Sequence, residues 1–166
     1  MQHFPKSQLQ NIQIEFVGAA TTDVNNKIRH YGLEETVLTL PPISYLDSLA
    51  LMQTSDLLLI IDAPAEISPF LPSKLIDYIG ANKPILGITP PGASQRLIEE
   101  MGFMVASPNN SDAIAKNLIK TIQNIKDKKF TAVPEKIRQR YFVKTVGDQM
   151  KAMLHDASLP PKMFPY

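Results

Sequence analysis

The chain has 166 residues, with seventeen Lys and Arg against sixteen Asp and Glu, a net charge of +1 and 44% hydrophobic residues. That length holds one domain, or one and a small piece, with enough apolar content for a core, and a near-neutral balance gives no field that favours nucleic acid or anionic lipid. The lack of cysteine excludes disulfides, thiolate metal sites and a cysteine nucleophile, and it fits a reducing compartment.

In chain order, apolar strand-like runs alternate with helical stretches. Met1 to Gln10 is polar in character, and Ile12 to Val17 reads as a strand ending at Gly18. Thr22 to Tyr31 reads as a helix closed by Gly32, and Thr36 to Leu40 as a second strand. Ser44 to Met52 is helical, with Ser44 as N-cap and Asp47 three residues later. Leu57 to Ile61 is a continuous apolar strand, expected to be buried on both faces. It is the longest apolar run and far too short to span a membrane, and no leader pattern is readable. A helix starting at Pro72 is followed by a buried strand over 84–88. Gly92 opens a helix through Met101, closed by Gly102, and Phe103 to Ala106 is a short strand. Ser111 is expected to cap a helix from Asp112 to about Ile125, and Lys126 to Val133 is a polar break. A last helix over Glu135 to His155 carries an apolar stripe of Ile137, Tyr141, Phe142, Val146, Met150, Met153 and Leu154. A proline-containing tail follows.

Such alternation predicts an α/β, three-layer α/β/α Rossmann-like domain with a parallel sheet, strands lying near Ile12, Thr36, Leu57, Ile85 and Phe103. The division expected is a leading segment over 1–11, a domain over 12–133, and a C-terminal helix and tail over 134–166. In open sheets of this kind ligands sit beyond the carboxyl ends of the strands. The loops 18–22, 41–45, 62–73 and 89–94 are therefore the ones to line a site.

One of these loops runs into the most informative segment, Phe70-Leu71-Pro72-Ser73-Lys74-Leu75-Ile76-Asp77-Tyr78, which continues through Asn82-Lys83-Pro84. Pro72 suits the first turn of a helix, where its missing N–H costs nothing. Ser73 and Lys74 then add a hydroxyl and an ammonium to free N–H groups at the positive end of the helix dipole, which makes an anion site. Asp77 follows three residues after Lys74 on the same face, where a carboxylate can accept hydrogen bonds from ribose hydroxyls. Asn82 can take the left-handed conformation that closes the helix, and Pro84 forbids its continuation. Isolated Ser-Lys pairs mostly just cap a helix and point to water, and from the residues alone that role stays open beside phosphate contact. Among the other loop residues, Gly18 either lets a ligand approach closely or only ends its strand. Pro91-Gly92-Ala93-Ser94 either aims N–H groups at a ligand or is a plain turn.

This segment resembles the donor-binding motif of GT-B glycosyltransferases, in particular the retaining, group 1, family-4-like members. Their motif has a loop glutamate, a second glutamate, an alanine-rich turn, then Gly-Lys-Pro and a strand. Asp77, seven residues before Pro84, stands where the second glutamate belongs, and the resemblance implies that it binds the ribose of a sugar nucleotide. The first glutamate should fall at Pro69, with Glu66 near but out of register, and Asn82 replaces the glycine. Ile14-Glu15-Phe16-Val17-Gly18, Asp56 before its strand, Met101-Gly102-Phe103 and Ser107-Pro108-Asn109-Asn110-Ser111-Asp112 match further family elements, so the likeness runs from Ile12 to Ile125 in the family's order.

The resemblance implies a nucleotide-sugar-binding, C-terminal donor domain of an enzyme that transfers a sugar from a nucleoside diphosphate donor to an acceptor hydroxyl. Donor-binding residues would be Ser73, Lys74 and Asp77, with Gly18, Leu71, Pro72 and Glu66; no catalytic residue is assigned. The family's earlier strand and helix are not readable, with Met1 to Gln10 a candidate end of that helix. A truncated piece, inactive alone, is therefore expected. The acceptor, a glycan, lipid or small molecule, would meet an N-terminal domain beyond this chain. The apolar stripe after Glu135 would partly face that neighbour. No cofactor is expected beyond the donor substrate, no nucleic acid partner, no transmembrane segment, and no metal, since His3, His30 and His155 lack ligand spacing. The location implied is cytoplasmic, with peripheral membrane association of the whole protein left open. The alternative from another class is a non-catalytic nucleotide-binding or protein-interaction module of the same fold.

Overall fold

The computed structural model describes residues 11–18 and 21–158, so the expectations for Met1 to Gln10 and for the tail after 158 lie outside the described residues. The chain divides into two compact units, Met1–Leu51 and Met52–Tyr166.

In the first unit, β1 (Ile14–Val17) and β2 (Val37–Leu40) pair in parallel, Ile14 opposite Val37 and Val17 opposite Leu40. Between them runs helix α1 (Thr22–His30), whose first turn is capped by the Thr21 hydroxyl accepting from the Val24 N–H at 3.4 Å. The division between the units falls inside α2 (Tyr45–Thr54). Its start is the reciprocal cap that the sequence predicts: the Asp47 N–H donates to the Ser44 hydroxyl at 3.1 Å, and that hydroxyl donates to Asp47 Oδ2 at 2.6 Å.

The second unit holds β3 (Leu58–Ile61), α3 (Ser73–Ala81), β4 (Ile85–Ile88), α4 (Ala93–Glu100), β5 (Met104–Ala106), α5 (Ser111–Lys126), α6 (Glu135–Arg140) and α7 (Val143–Ser158). Its strands form a three-stranded parallel sheet in the order β3-β4-β5. All five expected strands are thus present, but in two small parallel sheets, a pair and a trio, rather than in the single sheet expected. The central strand is β4, where Ile85 and Leu86 point to opposite faces and both are 1% exposed, so the sheet is covered on both sides. The architecture is a Rossmann-like α/β/α one.

On one face the core joins Ile60 and Ile85 to Leu75 and Ile79 of α3 and to Leu97 and Ile98 of α4. Gly87 lies on this same face, and a Cβ there would stand 2.9 Å from Ile98 Cδ1, so α4 rests directly on the strand. Helices α3 and α4 therefore share one side of the sheet.

Three further expectations are corrected. The Leu57–Ile61 segment is not buried on both faces: Leu58 and Ile60 are buried, whereas Ile61 is 53% exposed, because β3 is an edge strand of its sheet and β4 takes the central place. The cap of α5 is Asn110, not Ser111; the Asn110 side chain accepts from the Ala113 N–H at 2.9 Å. The last helix is two helices. The Tyr141 N–H bonds back three residues, to Arg138, which tightens the end of α6 before α7 begins. Ile137 is buried and Tyr141 packs on the core, while Phe142, Val146, Met150, Met153 and Leu154 are exposed. The apolar stripe is therefore covered at its start and bare along α7.

Asn82 closes α3 in the left-handed conformation, φ 56° and ψ 42°. Its side chain does more than tolerate that turn. Asn82 Oδ1 accepts the Val133 N–H at 2.9 Å, tying the segment before α6 to the end of α3. Phe130 in the same segment stacks on Phe103, ring centroids 5.9 Å apart. Glycine would keep the turn and lose the tether. Asn82→Gly is expected to cost about 1 kcal/mol, a fall of roughly 2–4 °C in melting temperature. Asn82→Ala adds left-handed strain and should cost more. A glycine variant that melts with the parent would show that the tether contributes nothing.

Candidate nucleotide-binding site

The start of α3 is built around Pro72. Its φ of −62° suits a helix but its ψ of 135° is extended, so it is the N-cap rather than part of the first turn. Ser73 and Lys74 become the first two helical residues, and their N–H groups point out of the helix end. No side chain caps them, because proline has none to offer; only the Leu75 N–H turns back, to the Pro72 carbonyl at 3.0 Å. Leu75 and Ile79, 0% and 1% exposed, fix the helix to the core. Ser73 and Lys74 are exposed, and Asp77 is half-buried on the same side one turn later. An uncapped helix N-terminus with a hydroxyl and an ammonium beside it suits a phosphate.

The preceding loop is held from the neighbouring strand. The Ser68 N–H donates to the Pro91 carbonyl at 2.8 Å, and the Ser68 carbonyl accepts from the Ala93 N–H at 3.1 Å. The Ser94 hydroxyl, buried, donates to the Phe70 carbonyl at 3.0 Å. The loop after β3 is thus pinned to the first turn of α4. In the 91–94 turn the Ala93 amide and the Ser94 hydroxyl are thus both spent on holding the loop. The sequence places Ser68 and Ser94 in loops expected to line a site but gives no sign of these bonds, because each bond joins one loop to the other.

Six of the seven expected site residues lie on this loop and helix. Leu71 is 38% exposed, and Phe70 and Ile67 in the same loop are exposed as well. Glu66 is an exposed loop side chain. Gly18 belongs to the first unit, where its N–H donates to the Leu40 carbonyl at 3.0 Å and closes the β1–β2 ladder. A hollow lined by Phe103, Thr121 and Phe130 lies toward the amino end of β4, at Pro84 and Ile85, and so away from the end where α3 starts. Among the described residues no group of three or more His, Cys, Asp or Glu is placed to hold a metal ion. No helix among them is long and apolar enough to cross a membrane.

Tyr78 packs against the core beside the site. Burial, and after it the Asp77 carboxylate, push its phenol above the usual tyrosine range. The neutral ring therefore supports the folded state fully below the ordinary tyrosine value of about 10, and that support is lost as pH rises through the higher folded-state value. Tyr78→Phe is expected to flatten the decline of melting temperature above about pH 10. An unchanged alkaline decline in the variant would contradict this.

No protein-family model matches the sequence, and no curated protein matches it. Solved structures do. HepE from Anabaena in complex with UDP matches with a TM-score of 0.68 and 21% identity, over 91% of this chain and 43% of that one. Its complex with UDP-glucose matches with a TM-score of 0.67. Sucrose-phosphate synthase from Thermosynechococcus elongatus matches with a TM-score of 0.67 and 15% identity, over 92% of this chain and 40% of that one. A glycosyltransferase from Rickettsia africae matches with a TM-score of 0.67 and 15% identity, over 90% and 41%. This chain spans about two fifths of the length of these structures. Its fold is that of a GT-B C-terminal-like domain.

Proposed function

We propose that this chain is the nucleotide-sugar-binding half of a glycosyltransferase that moves a sugar from a nucleoside diphosphate donor to an acceptor hydroxyl. The observation that carries the reading is the start of α3: uncapped N–H groups, the Ser73 hydroxyl and the Lys74 ammonium stand at a helix end, with Asp77 one turn further on the same side. The fold is shared with a protein solved in complex with UDP and UDP-glucose, which supports the assignment. In this role Ser73, Lys74 and the helix N-terminus hold the diphosphate, Asp77 accepts from the ribose hydroxyls, and Leu71 and Pro72 frame the site.

Sugar transfer leaves a diphosphate carrying more charge in the transition state than in the donor. Fixed positive charge and N–H dipoles aimed at it lower the barrier, because they strengthen as that charge grows. Lys74 and the α3 dipole supply both, so the reading needs no further cofactor. The acceptor would be held by a further domain, and the absence of cysteine fits the cytoplasm as the place of action.

The test is titration of the chain with UDP, GDP and ADP and with their hexose conjugates. Binding of one nucleoside diphosphate, far above that of its nucleoside, is expected; no binding across the panel would refute the reading. Residues 1–166 alone are expected to bind donor without transferring sugar. Turnover by this chain would contradict the division of labour between donor and acceptor halves.

A further inference from the structure

Two polar side chains stand unpaired at the carboxyl edge of the second unit's sheet. Asp62 follows β3 directly, and its N–H donates to the Ile88 carbonyl at 2.9 Å, which extends the β3–β4 register by one residue. Thr89 is the next residue of β4, and its N–H donates to the Ala106 carbonyl at 3.0 Å. Because Ile61 stands opposite Ile88, Asp62 stands beside Thr89, and parallel strands at one register send both side chains to one face. That face carries Ile60 and Gly87 and is the one covered by α3 and α4.

Neither side chain is satisfied. Asp62 Oδ2 and Thr89 Oγ1 are both buried with no hydrogen-bond partner, and Thr89 is only 2% exposed. Buried polar groups are nearly always paired, and a buried carboxylate oxygen without a donor is costly. Asp62 as a whole is not sealed: the residue is partly exposed.

We propose that Asp62 is the residue that binds hydroxyls of the transferred sugar, and that Thr89 positions it. This rests on the function proposed above. A carboxylate repels phosphate and accepts from O–H and N–H groups, so its ligand in a nucleotide sugar is the base, the ribose or the hexose, and position along the donor decides among them. A nucleotide sugar runs from ribose through diphosphate to sugar. With the ribose at Asp77 and the diphosphate at Ser73 and Lys74, the hexose falls beyond the helix end, toward the strand edge where Asp62 lies. Thr89, on the adjacent strand, donates its hydroxyl to the buried Oδ2 as the carboxylate engages; such bonds are commonly long before the ligand arrives.

The experiment compares the affinity for a nucleoside diphosphate with that for its sugar conjugate, in the parent chain and in three variants. UDP and UDP-glucose are the first probes, with GDP, ADP and their conjugates alongside. Asp62→Ala is expected to leave diphosphate affinity within about twofold and to weaken the sugar conjugate by about tenfold or more, the worth of a hydrogen bond to a charged group. Thr89→Val is expected to weaken the conjugate alone, Thr89→Ser to restore it, and the valine variant to melt no lower than the parent, since it removes an unpaired buried hydroxyl. A lower melting temperature for Thr89→Val would show a structural role and overturn its part. Should Asp62→Ala fail to fold, the isosteric Asp62→Asn takes its place. Equal affinities for the conjugate in parent and folded variants would overturn the proposal while leaving diphosphate binding, and so the proposed function, intact. Failure of the parent to bind any diphosphate would fall on the proposed function first and on this inference with it.

Discussion

Replacing Gly92 by alanine is expected to destabilise the second unit by several kcal/mol. Gly92 sits at φ 153° and ψ −152°, a conformation that side-chain-bearing residues rarely adopt. Space is as restrictive as conformation: a Cβ there would lie 1.8 Å from the Ser68 carbonyl oxygen and 2.8 Å from its carbon. Backbone, not a flexible side-chain end, blocks it, so the bridge between Ser68 and Gly92 must open. The Ser68 bonds to Pro91 and Ala93 go with it, and the loop before α3 loses its anchor. Strain plus lost hydrogen bonds amount to roughly 3–5 kcal/mol, which in a chain of this size lowers the melting temperature by roughly 10 °C. Thermal unfolding checks this directly. A variant melting within about 2 °C of the parent would show that the loop and α4 are not joined as described.

The second large effect is on binding. Asp77→Ala is expected to weaken nucleoside diphosphate binding by about ten- to a hundredfold, since a hydrogen bond to a charged group contributes roughly 1.5–3 kcal/mol. Lys74→Ala should lose affinity for the diphosphate more than for the nucleoside, because only the diphosphate carries the charge that Lys74 meets. Lys74 is exposed and Asp77 partly so, so the variants should fold, and a melting curve verifies it. The Lys74 effect should also shrink as salt rises, as expected of an exposed charge. Unchanged affinity in both folded variants would remove the site from α3.

Local chemistry made much of this legible in the sequence. The Ser44–Asp47 cap, the α3 segment and the left-handed Asn82 follow from residue types at short spacing, and the structure has them within a residue. Six of the seven expected site residues fall on one loop and helix because the sequence motif is itself contiguous. What escaped was nonlocal. Composition alone made Leu57 to Ile61 look doubly buried, but only sheet order tells an edge strand from a central one. The Ser68–Gly92 bridge and the Asn82 tether join residues far apart in sequence, and no local pattern announces them. The break at Tyr141 carries no proline or glycine; it comes where a side chain packed on the core gives way to a stripe that is exposed. Asp62 and Thr89 open two of the loops expected to line a site, but only strand register shows that they stand side by side.

The most direct test follows the backbone amides of Ser73 and Lys74 by nuclear magnetic resonance while uridine, UDP and UDP-glucose are added in turn, with the guanosine and adenosine series in parallel. These two amides are expected to shift strongly with the bound diphosphate and with its sugar conjugate but little with the nucleoside, because phosphate oxygens accept from them. If a diphosphate binds while the Ser73 and Lys74 amides stay unmoved, the donor does not sit at the start of α3 and the central claim is contradicted.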